Sequence, residues 1–223
     1  MKRCVIFDLD GTLADTAEDL IAAANAALAH LGRDARLDPG AALDRTEALR
    51  GGRAMLRLGL SREGPVDEAE VDRGYPPLLE AYDGAIARHT TFYPGALDAV
   101  RRLRARGDAT GICTNKPEAL AVKLMDALGA SALFDSLVGA DTLAVRKPHP
   151  EHLVESIARA GGDPARSVMV GDTGTDRETA RRAGVPCILV TFAPDGRRVA
   201  DLAPEALLDD YASLEAAIAE VGR

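Results

Sequence analysis

Between residues 96 and 190 short apolar runs alternate with segments of helical spacing, and this alternation constrains the fold more than any other feature of the chain. Helical spacing over 96–106 stops at Gly107 and is followed by the strand-like run Ala109-Thr110-Gly111-Ile112-Cys113. Helices predicted over 117–128, 150–160 and 175–183 lead to strands predicted over 136–138, 167–170 and 187–190, and a last helix is predicted over 211–221. Strands separated by helices of about ten residues pair in parallel through crossovers, and a parallel sheet requires cover on both faces. Cys4-Val5-Ile6-Phe7, apolar and rich in β-branched and aromatic residues, reads as one more strand of that sheet, buried on both sides.

The texture between the first strand and this alternation is different. A helix is predicted over 15–31, with apolar residues at helical spacing and Gly32 as its stop. Residues 33–90 hold no convincing strand. They are rich in Ala, Leu, Arg and Glu, and are punctuated at Pro39, Gly51-Gly52, Gly64-Pro65 and from Gly74 to Pro77. Several short helices are expected there. An all-helical block placed inside an α/β chain reads as an inserted cap. The expected architecture is a Rossmann-like α/β core, 1–14 and 91–223, with a helical cap over 15–90.

With 223 residues, 47% of them hydrophobic, the chain can bury a sizeable core. A net charge of −8 argues against a nucleic-acid surface but leaves room for a local cationic pocket. Cys4, Cys113 and Cys187 all lie in apolar runs without a Cys-x-x-Cys spacing, and are expected to be small buried filler in a reducing compartment. No apolar run approaches the ~18 residues of a membrane span, and the opening run is too short and too acidic for a signal peptide. No membrane partner is expected, and the expected location is the cytoplasm. The oligomeric state is left open.

Chemistry concentrates where the predicted strands end. The first runs into Asp8-Leu9-Asp10-Gly11-Thr12, two acids at the edge of a sheet where open α/β folds bind ligands. Two carboxylates held close together either share a proton or hold a cation, and with oxygen ligands the expected ion is Mg²⁺. A carboxylate can also attack phosphorus, and a second can shuttle protons. The plain alternative is an acidic turn closing a strand. The next strand ends in Thr114-Asn115-Lys116-Pro117, where a hydroxyl and a helix N-terminus suit an anion; capping by Thr114 or Asn115 is the competing role. Lys147, in Arg146-Lys147-Pro148-His149-Pro150, has the compact charge that suits a phosphoryl group, whereas His149 reads as a cap or a solvent-facing side chain. Asp172, in Gly171-Asp172-Thr173-Gly174-Thr175-Asp176, is placed to complete a metal shell with Asp8 and the loop around Asp10. Asp176 fits a supporting position or a helix cap.

Phe7-Asp8-Leu9-Asp10-Gly11-Thr12-Leu13 resembles the signature of the haloacid dehalogenase-like hydrolase superfamily, and the Thr114, Lys147-Pro148 and Gly171-Asp172…Asp176 segments resemble its later motifs in order and spacing. The resemblance implies that Asp8 is the nucleophile, that Asp10 is the general acid and base found in its phosphatases and mutases but missing from its dehalogenases, and that Thr114 binds the transferring phosphoryl group. Segment His89-Thr90-Thr91-Phe92-Tyr93-Pro94-Gly95 and the position of the cap look like phosphoglycolate phosphatases. The implied activity is Mg²⁺-dependent hydrolysis of a small phosphorylated metabolite, most simply 2-phosphoglycolate, through an aspartyl-phosphate. Asn115 and Lys147 would then contact substrate. Arg50 and Arg53, on a Gly-rich turn of the cap, could pair with its carboxylate, or simply form an exposed basic turn. A β-phosphoglucomutase-like reaction uses the same motifs, and a phospho-accepting receiver module uses similar residues on a shorter chain.

Overall fold

The computed structural model describes residues 2–221. In chain order the elements are β1 (Lys2–Phe7), β2 (Ala14–Asp15), α1 (Ala17–His30), α2 (Ala42–Leu49), α3 (Gly52–Ser61), α4 (Glu68–Gly84), β3 (Thr91–Phe92), α5 (Ala96–Ala105), β4 (Ala109–Cys113), α6 (Glu118–Ala127) and β5 (Ser136–Val138). They continue with α7 (Pro150–Arg159), β6 (Gly162–Gly171), α8 (Gly174–Ala183), β7 (Cys187–Val190), β8 (Ala206–Leu208) and α9 (Leu214–Val221). The chain divides into two compact units, one of residues 1–14 and 92–223, the other of residues 15–91.

The first unit is built on a six-stranded sheet of order β5-β4-β1-β6-β7-β8, parallel throughout. β1 is central because every residue from Cys4 to Phe7 is fully buried; successive side chains point to opposite faces, so both faces must be covered. β4 and β7 are buried along their whole lengths for the same reason. Gly111 is required in β4 by close approach: a Cβ there would lie 2.2 Å from Ser136 Oγ and 2.8 Å from Ile6 Cδ1. Cys4, Cys113 and Cys187 are unpaired thiols inside this core.

Register brings the chemistry to one edge. Phe7 pairs with Ile112 of β4 and with Val170 of β6, and the Asp8 N–H donates to Val170 O at 2.9 Å. Asp8, Thr114 and Asp172 therefore leave three adjacent parallel strands at the same end of the sheet.

The second unit is helical. α1 packs on α3 through Gly59, where a Cβ would sit 2.4 Å from Leu28 Cδ1. α4 is a single helix of 17 residues that runs through Gly74, Pro76 and Pro77, where the sequence suggests a break. Its apolar stripe, Val71, Gly74, Leu78 and Tyr82, is buried, and a Cβ at Gly74 would touch Leu31 and Leu56; tertiary packing outweighs the local propensity. Buried Asp19 accepts from the His89 and Thr90 backbone N–H groups and from Thr90 Oγ1, at 2.7–3.0 Å, and so fastens the chain where it leaves this unit.

Three further features depart from the sequence reading. β6 begins at Gly162 rather than Ser167, because its first half is polar and partly exposed and carries no apolar signal. β8, an Ala-Leu-Leu run at the sheet edge, has no period-2 pattern to reveal it. The closing segment is a 3₁₀ turn, Tyr211–Ser213, followed by α9, rather than one helix.

Candidate active site

Lys147 lies at the centre of the site. Its side chain is 2% exposed, and its Nζ lies 2.9 Å from Asp8 Oδ1 and 2.6 Å from Asp176 Oδ1. The loop bearing it is tied to the neighbouring strand end, since Asn115 Nδ2 donates to Lys147 O at 3.1 Å. The Lys147–Pro148 peptide is cis, and His149 caps α7, its ring nitrogen accepting from the Glu151 N–H.

Asp176 is fixed by helix α8. Thr173 and Asp176 form a reciprocal capping box, and Asp176 Oδ2 accepts from the N–H of Asp172 and Thr173 and from Thr173 Oγ1. Asp172 is held in turn by Thr12, whose hydroxyl donates to Asp172 Oδ1 at 3.0 Å. The Thr12 carbonyl accepts from the Tyr211 hydroxyl at 2.7 Å, so the loop after β1 is anchored to the last part of the chain.

Asp8, Asp172 and Asp176 are all buried, each offering an oxygen within 4.8 Å of the others. Burial pushes the Asp8 carboxyl up to about 7; Lys147 opposes the rise, while Asp176 and Asp10 add to it. Asp172 is raised well above the ordinary carboxylate range, again chiefly by burial and then by Asp176 and Asp8. Burial alone would lower Lys147, but Asp176 and Asp8 together more than offset it and hold the ammonium above its usual value. Three buried acids facing one ammonium leave an excess of negative charge, and an all-oxygen donor set of this kind fits a hard divalent cation.

Asp10 lies outside this trio. Its Oδ1 is 3.0 Å from Lys116 Nζ, an ammonium whose side chain is 4% exposed. The sequence reading of Thr114-Asn115-Lys116-Pro117 assigns its anion site to the Thr114 hydroxyl and the following helix N-terminus, and gives Lys116 no role of its own. A compositional signal was present: the chain has four lysines against 23 arginines, and Lys116 and Lys147 each stand just before a predicted helix, 117–128 and 150–160.

Thr114 is buried at the end of β4, and its hydroxyl accepts from the Lys116 N–H at 3.1 Å. The N-terminus of α6 is partly occupied, since the Glu118 N–H donates to Asp141 Oδ1. Arg50 and Arg53 belong to the helical unit and have acidic partners there. Arg50 pairs with Glu47 at 2.6 Å, and Arg53 pairs with Asp72 while its guanidinium stacks over Tyr75, 4.6 Å from the ring centroid.

A family model for haloacid dehalogenase-like hydrolases matches residues 2–184, most of the chain. The chain belongs to that family. It is 40% identical to a phosphoglycolate phosphatase of Mesorhizobium japonicum, over 98% of this chain and 96% of the relative. A phosphoglycolate phosphatase of Agrobacterium fabrum is 38% identical, over 99% of this chain and 94% of the relative. Among solved structures, CbbY from Rhodobacter sphaeroides, crystallised in complex with phosphate, superposes with a TM-score of 0.77 at 25% identity, covering 98% of this chain and all of that one. Among the described residues, no helix is long and apolar enough to cross a membrane.

Proposed function

We propose that this phosphatase hydrolyses 2-phosphoglycolate through a phosphorylated Asp8, with Mg²⁺ bound beside it. The observation that carries the reading is the Asp8–Lys147–Asp176 arrangement at the end of the central strand, with Asp172 alongside. The two close relatives named above supply the substrate class.

In this mechanism an oxygen of Asp8 attacks phosphorus, and the bond from phosphorus to the ester oxygen breaks. Asp10 gives its proton to the departing alkoxide. It then takes a proton from the water that attacks the aspartyl-phosphate, and inorganic phosphate leaves with Asp8 restored. Lys147, 2.9 Å from the attacking carboxylate, and the Thr114 hydroxyl stabilise the phosphoryl oxygens. Asp8 and Asp172 would hold the Mg²⁺, which supplies charge neutralisation at those oxygens. Asp176, committed through both oxygens to Lys147 and to the Asp172–Thr173 turn, orients the others. The helical unit serves as the cap.

The test is phosphate release from a panel of small phosphoesters with and without Mg²⁺, run beside Asp8→Asn. Release from 2-phosphoglycolate should need the ion and vanish in the variant. Undiminished activity in Asp8→Asn would remove the nucleophile assignment.

A further inference from the structure

Lys116 takes no part in the hydrolysis described above, yet it is one of two lysines buried among the described residues. Each of the two stands on one acid of the loop after β1, Lys147 on Asp8 and Lys116 on Asp10. In a chain that otherwise uses arginine for nearly all its positive charge, two buried ammonium groups on neighbouring acids mark two separate electrostatic tasks. In the mechanism proposed above Asp8 attacks phosphorus, which assigns Lys147 to the phosphoryl group. Asp10 in that mechanism protonates the ester oxygen, which assigns Lys116 to the side of the leaving group.

We propose that Lys116 binds the carboxylate of the leaving group, and that the α/β unit itself therefore selects phosphoesters with a carboxylate on the ester-bearing carbon. The inference rests on the hydrolase reading and names a specificity residue within it. In such a substrate only three bonds separate the ester oxygen from a carboxylate oxygen. A group that holds the ester oxygen at hydrogen-bond distance from Asp10 thus carries the carboxylate into reach of an ammonium 3.0 Å from the same acid. The position of that ammonium is set by a backbone fixed on both sides, since the Lys116 N–H donates to Thr114 Oγ1 and its carbonyl accepts from the Ala140 N–H at 2.9 Å. The same residue thereby couples the phosphoryl-binding threonine to recognition of the other end of the substrate. Arg50 and Arg53, the carboxylate ligands suggested by sequence, are paired in the helical unit with Glu47 and Asp72.

The experiment compares kcat/KM for 2-phosphoglycolate with that for ethyl phosphate, which has a methyl group in place of the carboxylate, in the wild type and in Lys116→Gln, Lys116→Met and Lys116→Arg. The wild-type ratio should favour phosphoglycolate, and it should fall about tenfold or more in Lys116→Gln and Lys116→Met, mainly through KM, with partial recovery in Lys116→Arg. Equal losses for both esters would make Lys116 a support for Asp10 alone and overturn the proposal. A wild type that hydrolyses both esters equally well overturns it without recourse to any variant. Phosphate release from neither ester would remove the phosphoglycolate reading, and this inference with it.

Discussion

Stripped of divalent cations, the protein should lose stability as the pH rises toward neutrality, and Asp8 should account for a measurable part of that loss. Burial raises the Asp8 carboxyl from 3.8 to about 7. Between those values the folded chain holds a proton that the unfolded chain has released. The stability contributed by this proton is complete below about pH 4 and is lost as the pH climbs through about 7. A shift of that size is worth about 4 kcal/mol, at about 1.4 kcal/mol for each tenfold change in proton affinity. Asp172, raised in the same direction by burial, adds to the trend. Carboxyls held low by surface arginines, such as Glu178 at about 2, titrate below this window. The assay is urea unfolding followed by circular dichroism in chelator, at several values from about pH 5 to about pH 7.5, for the wild type and Asp8→Asn. Asparagine does not titrate, so the variant should show the shallower decline. Millimolar Mg²⁺ should abolish or reverse the wild-type decline, because it binds the ionised carboxylates. Identical slopes for the two proteins in chelator would refute the argument.

Two substitutions probe the supports of the site. Lys147→Met leaves Asp8 and Asp176 buried without their shared ammonium, and should cost about 3–5 kcal/mol in the same urea assay and abolish phosphate release. Tyr211→Phe removes the donor to the buried Thr12 carbonyl and should cost about 1–3 kcal/mol, read as a lower Tm.

Strand ends were legible in the sequence because a parallel strand buried on both faces is a nearly unbroken apolar run, so the residue that ends the run is the residue at the sheet edge. Val5-Ile6-Phe7 before Asp8, Ile112-Cys113 before Thr114 and Val168-Met169-Val170 before Gly171-Asp172 all follow that rule. Features that depend on three-dimensional packing were not legible. Pro76 and Pro77 look like a helix end until the buried stripe of α4 is known, and Ala206-Leu207-Leu208 carries no strand pattern until it pairs with β7. The burial of Lys116 against Asp10 joins residues more than a hundred positions apart, and nothing local to either announces it.

The position of β1 at the middle of the sheet also has a bearing on biosynthesis. β1 is translated before both of its neighbours in the sheet, β4 on one side and β6 on the other, the buried half of β6 running from Ser167 to Gly171. β1 must therefore wait, with its apolar side chains unsheltered on one side, until the chain has been translated as far as Gly171. Aggregation before that point is the hazard this strand order carries, and a nascent chain halted short of β6 would be both inactive and prone to capture by chaperones.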